Sequence, residues 1–306
     1  MAAWTRTRFA ASHATGFDRC RLDSGAAGPR VVIFGGTHGD ETEGVIAANR
    51  IAAMDLGLAA GIVDVVPVVH ESAFAADQRT SPLDGRDLAR SFPGRADGSP
   101  TEQLAHVLAQ QVLAGADLLI DLHTSGRGFE IPFVAGYIDD GRDAKGLGAR
   151  AAAAFGADFV WRHPERPPGR TLSVMDAAIY TEAPCPGPVD LGYADRYAAG
   201  CLRVLADLGM LAKPLAPPSG PPALRVVSGG NVDADMQTVA TRGLFVPRVR
   251  CGAPVARGQV LGTVHDIAGT VIEEVRAASD GWVIVLRRRP HVVPGDRVVA
   301  VAIADR

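Results

Sequence analysis

Three short stretches of this chain are apolar without the polar alternation of a half-buried strand. They are Arg30–Gly36 (RVVIFGG), Gly61–Val69 (GIVDVVPVV) and Ala116–Leu122 (ADLLIDL). Runs of this length, rich in Val, Ile and Leu, suit strands covered on both faces, as in a parallel sheet. The segments between them read as helices. Glu41–Leu58 sets Val45, Ile46, Ile51, Ala52 and Leu58 at helical spacing, and Thr101–Leu113 begins behind Ser99 and Pro100, which favour a helix start. A first strand is expected at Thr5–Ala11. This alternation predicts an α/β sheet with helices on both faces.

The pattern changes near Gly209. Lys213–Pro222 (KPLAPPSGPP) has five prolines in ten residues and reads as a linker. Beyond it, Ala223–Arg306 is a series of short β-type runs punctuated by glycine, such as GQVLGTV, DGWVIVLRR and GDRVVAVAI. The expected organisation is therefore an α/β unit over residues 1–212 and a small all-β unit over 223–306. Two units agree with 306 residues at about 150 per domain.

Composition narrows the functional classes. With 47% hydrophobic and 21% charged residues, disorder, collagen and coiled coil are excluded. A net charge of −3 without long runs of one sign lacks the footprint of a nucleic-acid binder. The longest apolar stretch, Leu56–Val69, is interrupted by Asp64 and Pro67 and is too short for a membrane span. The N-terminal residues have no apolar core of a secretory signal. Cys20, Cys185, Cys201 and Cys251 show neither a disulfide framework nor a CxxC pair. A cytoplasmic location is expected.

Four constellations carry chemistry. GGTHGDE (Gly35–Glu41) follows a buried strand and opens a helix, with His38 and Glu41 three apart. It therefore lies at the carboxyl edge of the sheet, where α/β proteins bind ligands. DLHTSG (Asp121–Gly126) sets His123 just past another buried strand, with Asp121 able to orient an imidazole. Together they make a plausible two-His, one-Glu metal site with an open position for water. Phe74–Gly94 is a long irregular segment that carries Arg79, Arg86 and Arg90, suited to carboxylates or an oxyanion. YTEAPCPGP (Tyr180–Pro188) places Glu182 at the end of an apolar run, where a carboxylate can serve as general base. Each has a plainer reading as a turn or a solvated side chain, and only the first two reinforce one another.

In their order along the chain, GGTHGDE, RTSPLDGRDLARSFPG, DLHTSG and TEAP resemble the succinylglutamate desuccinylase/aspartoacylase family of the zinc carboxypeptidase clan. ADRYAAGCLRVLADLGML and Gly243–Ala302 extend the likeness over nearly the whole chain. The resemblance implies a zinc-carboxypeptidase-like mixed, largely parallel sheet and a C-terminal β barrel or sandwich. It implies one Zn2+ per chain held by His38, Glu41 and His123, and Glu182 as the residue that activates water. Arg79 matches the arginine that polarises the scissile carbonyl, and Arg90 the one that holds a substrate carboxylate. The implied reaction is hydrolysis of the amide of an N-acylated amino acid.

Two positions depart from the family pattern. Asp87-Leu88-Ala89-Arg90 has Ala89 where the family writes Asn, and His70 stands where it commonly places Asn. The substrate is then an acylated amine, or His70 supplies the lost contact. The C-terminal part also resembles biotinyl/lipoyl-type barrels, but Ala223–Arg306 contains no lysine for attachment. A carrier role is excluded, leaving a lid, gate or oligomerisation role. The expected function is a zinc-dependent deacylase acting on a small molecule, with no nucleic acid or membrane partner and homo-oligomerisation left open. A metallocarboxypeptidase acting on a short or modified peptide is the alternative. A non-catalytic binding relative is disfavoured by the intact set His38, Glu41, His123, Glu182 and Arg79.

Overall fold

The computed structural model describes residues 3–12, 15–184, 189–213, 215, 223–229 and 232–305. Cys185 and most of the expected linker 213–222 lie outside the described residues. The first half runs β1 (Thr5–Ala10), β2 (Gly16–Asp23), β3 (Arg30–Gly35), α1 (Thr42–Ala53), β4 (Ile62–Val66), α2 (Glu71–Ala75) and α3 (Pro100–Leu108). It continues through β5 (Leu118–Leu122), β6 (Phe129–Glu130), β7 (Val134–Ile138), α4 (Leu147–Phe155), β8 (Phe159–His163), β9 (Ala178–Glu182) and α5 (Leu191–Asp207).

The three apolar runs are the centre of one sheet. β4, β3, β5 and β9 lie side by side in parallel register. β7 then pairs antiparallel with β9 and parallel with β8, which makes the sheet mixed. The hairpin of β1 and β2 extends the other edge, beside β4. Side chains alternate between two cores because a strand projects successive residues to opposite faces. Val31 and Ile33 pack with α1, α4 and α5, whereas Val32 and Phe34 pack with α3.

Helix boundaries follow their caps. Ser99 and Glu102 form a reciprocal capping box at the start of α3, with Pro100 in the first turn. That helix gives way to a π-helical turn over Ala109–Leu113. α1 stops at Ala53, short of the expected Leu58, because Met54 is extended and Asp55 closes a turn by accepting the Gly57 N–H at 3.0 Å. Leu58 instead forms a bridge with Leu211.

The C-terminal part comprises β10 (Leu224–Val227), β11 (Gln237–Thr238), β12 (Gly243–Pro247), β13 (Pro254–Val255), β14 (Val260–His265), β15 (Val271–Arg276), β16 (Gly281–Arg287), β17 (His291–Val292) and β18 (Arg297–Ala304). β10 pairs with β8 on one side and β18 on the other, so the large sheet continues through β18, β16 and β13. A second sheet, ordered β15-β14-β12-β17, packs on it around Phe245, Leu261, Val264, Val283 and Val298. β16 also pairs with β6, tying this sandwich to the first half. No helix among the described residues is long and apolar enough to cross a membrane.

One buried charge anchors the β2–β4–β3 edge. Asp64 is fully buried and accepts Arg21 Nε and Nη2 and Arg30 Nε, each at 2.8 Å. Burial alone would raise its carboxyl, but the bonds from Arg21 and Arg30 hold it below the usual carboxylate range. Because the folded carboxyl is depressed, its stabilisation is present above the unfolded value of about 4 and is lost as pH falls below that. Asp64→Ala leaves the arginines uncompensated and is expected to cost about 3 kcal/mol. Urea unfolding checks this: the deficit relative to wild type should be present at pH 7 and shrink toward pH 3.

Candidate metal and catalytic site

Parallel pairing brings three strand ends to one edge. Gly35 of β3 is opposite Leu122 of β5, and Leu122 is opposite Thr181 of β9. The loop carrying His38 and Glu41, the residue His123, and Glu182 therefore leave the sheet together. The first loop packs tightly on segment 73–78. A Cβ on Gly39 would stand 2.0 Å from the Ala73 carbonyl oxygen, and the Gly39 N–H donates to the Gln78 carbonyl at 3.1 Å. That packing sets Arg79 beside the loop.

Glu41 occupies the N-cap of α1 but makes no side-chain cap. Its carboxylate turns inward, 2% exposed. Oε1 is 2.9 Å from His38 Nδ1, and Oε2 is 2.9 Å from His123 Nδ1. Oε2 also accepts the Thr124 N–H at 3.1 Å. Burial would raise this carboxyl, yet the imidazoles of His38 and His123 hold it well below its ordinary value.

A carboxylate backs each imidazole. His38 Nε2 is 3.0 Å from Asp87 Oδ1, and His123 Nε2 is 3.1 Å from Asp121 Oδ2. Thr37 Oγ1 donates to Asp121 Oδ1 at 2.8 Å, which fixes that carboxylate in turn. Burial opposes a proton on His123, but Asp121 and Glu41 outweigh it and raise the imidazole well above its ordinary value. Desolvation likewise raises Asp87, but its bond with His38 brings it far below the carboxylate range.

This donor set fits a metal ion. His38, Glu41 and His123 are all buried, and their donor atoms lie within 4.8 Å of one another. The two Nδ1 atoms are 3.2 Å apart and face the same carboxylate. Tetrahedral ligands about 2.0–2.1 Å from one zinc ion are separated by roughly 3.3 Å, which matches. The negative field of Asp121 and Glu41 that raises the His123 imidazole is also one that stabilises a cation between these groups. Imidazole backed by carboxylate is the arrangement that orients metal-bound histidine.

Two further expected residues line the same cavity of about 580 Å3. Arg79 donates from Nε to Asp87 Oδ2 at 3.0 Å and brings Nη1 within 3.3 Å of Glu41 Oε1. Glu182 has one buried carboxylate oxygen with no hydrogen-bond partner. Burial and then the Glu41 charge push its carboxyl well above the ordinary value. Arg90 and Ala89 also line the cavity. His70 does not. It is fully buried at the N-cap of α2, where burial lowers its imidazole to about 4. His70 is thus not among the residues brought together at the cavity.

Sequence reasoning did not assign Asp87, which sits 49 residues from the imidazole it orients. Nor did it assign Trp161, His163 and Tyr180, or Met236, Val285 and Arg289 of the C-terminal part, all of which line the cavity. None carries a local spacing signal, since tertiary pairing alone brings them together.

A family model described as "Succinylglutamate desuccinylase/Aspartoacylase catalytic domain" matches residues 27–208. N-alpha-acetyl-L-2,4-diaminobutyric acid deacetylase of Halomonas elongata is 32% identical over 291 residues, covering 90% of this chain and 82% of that protein. The product-bound ectoine utilization protein EutE (DoeB) of Ruegeria pomeroyi superposes with TM-score 0.84 at 26% identity, over 99% of this chain and 95% of that one. A succinylglutamate desuccinylase/aspartoacylase of Rhodobacter sphaeroides gives TM-score 0.84 at 26% identity, over 100% and 95%.

If Asp121 orients His123 for a metal, Asp121→Asn should weaken divalent-metal affinity by about 10–100-fold while the fold is kept. Competition with a chromophoric chelator measures the affinity, and circular dichroism checks the fold.

Proposed function

Because the chain belongs to the succinylglutamate desuccinylase/aspartoacylase family, we propose that it is a zinc-dependent deacylase that hydrolyses the amide of a small N-acylated amino acid. One observation carries the reading: His38 and His123 line one cavity with Arg79 and Glu182, and the Glu41 carboxylate lies between the two imidazoles and within reach of Arg79. His38, Glu41 and His123 would hold one Zn2+. When bound, zinc supplies a Lewis acid and lowers the pKa of water toward ~7.

The chain's own residues supply the rest. Asp87 and Asp121 hold the two imidazoles with Nδ1 inward. Glu182 takes the proton of the attacking water and returns it to the leaving nitrogen; its burial and the neighbouring Glu41 charge raise its proton affinity for that task. Arg79, tethered by Asp87, directs its guanidinium at the developing oxyanion. Arg90 holds the substrate carboxylate, and Ala89 leaves open the space an amide side chain would fill.

Residues 1–212 are assigned the catalytic role, and 223–306 complete the cavity wall through Met236, Val285 and Arg289. The substrate named for the Halomonas elongata relative, N-alpha-acetyl-L-2,4-diaminobutyric acid, is the first compound to test. Cys20, Cys201 and Cys251 are free thiols, which supports a cytoplasmic location in this reading.

Release of the free amine from N-acetyl and N-succinyl amino acids tests the assignment. Glu182→Gln should lower kcat by about 10²-fold or more with metal content unchanged. Arg79→Ala should lower kcat and kcat/KM together, because its contact strengthens as the oxyanion forms. Near wild-type kcat in a metal-replete Glu182→Gln protein would reject the role of Glu182.

A further inference from the structure

His163 and Tyr180 form a polar pair that the reaction above does not use. β7 separates the strands that carry them: Gly136 is opposite Tyr180 of β9 on one side and Trp161 of β8 on the other. A Cβ on Gly136 would stand 2.1 Å from Tyr180 Cε1 and 2.6 Å from its hydroxyl oxygen. The missing side chain lets the phenol ring lie across β7 and reach His163.

The direction of each hydrogen bond can be worked out. His163 Nδ1 is 2.8 Å from the Gly229 carbonyl oxygen, and Nε2 is 2.8 Å from the Tyr180 hydroxyl. A carbonyl only accepts, so Nδ1 carries the proton. Nε2 of the neutral ring is then an acceptor, and the Tyr180 hydroxyl donates to it. Burial lowers the His163 imidazole to about 4, which keeps the ring neutral near pH 7. Trp161 Nε1 donates to Ser228 Oγ at 2.8 Å, and Ser228 Oγ donates to the same Gly229 carbonyl at 3.3 Å. Every proton in this network runs toward Gly229. The Tyr180 oxygen therefore has lone pairs to offer and no proton.

His163, Tyr180 and Trp161 all line the cavity. We propose that Tyr180 is a specificity-determining residue whose phenolic oxygen accepts a hydrogen bond from an amino group of the substrate, with His163 and Gly136 as its positioning residues. A carboxylate or carbonyl there would meet lone pair against lone pair. An ammonium finds an acceptor there. Arg90 and Arg170 line the same cavity and match a carboxylate. The substrate class is thus an N-acylated amino acid bearing a second amine on its side chain.

The identity of the reacting amide rests on the deacylase reading, but the amine contact is tested by binding alone. Calorimetry on the metal-replete protein compares 2,4-diaminobutyrate with 2-aminobutyrate, which lacks only the side-chain amine. Wild type should prefer the diamine by about 10-fold or more, as expected for a hydrogen bond to a charged group. Tyr180→Phe should lose about 10-fold on the diamine and stay within about 2-fold on the monoamine. His163→Phe releases the phenol to donate and should bring the two ligands toward parity. His163→Gln, whose amide oxygen still accepts, should retain the preference. Equal losses on both ligands in Tyr180→Phe, or no wild-type preference, would overturn the proposal. A protein that binds as described but releases no amine from the acylated compounds would overturn only the deacylase reading.

Discussion

A carboxylate almost sealed from water must be matched on every side, and the arrangement of this site depends on how Glu41 meets that demand. At the N-cap of α1 an acidic side chain would ordinarily satisfy the helix's own N–H groups. Here it gives up that bond and faces two imidazoles, a backbone N–H and a guanidinium instead. Local helix stability is exchanged for a negative centre inside the protein, a conflict between local and global preference of the kind expected at functional sites. The outer carboxylates, Asp87 and Asp121, extend that field behind each imidazole. Two histidines held with the same nitrogen inward, 3.2 Å apart, make little sense as a purely structural pair. They are well arranged for a cation.

Much of the fold could be read from the chain because burial on both faces leaves a visible mark. Each of the apolar runs at residues 30, 61 and 116 became a central strand, and alternation within them sorted side chains into two cores. Sheet partners beyond that centre could not be read. The antiparallel insertion of β7 between β9 and β8, and the continuation from β8 through β10 to β18, depend on pairings between distant segments that leave no local period. The overextended reading of α1 has a local cause: apolar spacing persisted past Met54, but the Asp55–Gly57 turn ended the helix.

The site divides in the same way. His38, Glu41 and His123 were legible because each stands just beyond a buried strand, and the resemblance to a family implied their shared role. Asp87 carries no local signal of its contact, since only folding of the long 74–94 segment brings it to His38. Tyr180 and His163 were invisible for a subtler reason. Their contact crosses an intervening strand and requires Gly136, whose significance appears only when the neighbouring strands are known. His70, which stands where the family commonly places Asn, is fully buried and does not line the cavity, whereas Ala89 does.

In the proposed function these buried groups hold a metal needed for amide hydrolysis. The most direct measurement is amine release from N-alpha-acetyl-L-2,4-diaminobutyric acid by protein as purified, after chelator stripping, and after stoichiometric Zn2+ is restored. Stripping should abolish release, and about one Zn2+ per chain should restore it. Full activity in metal-free protein, with zinc verified absent by elemental analysis, would contradict it.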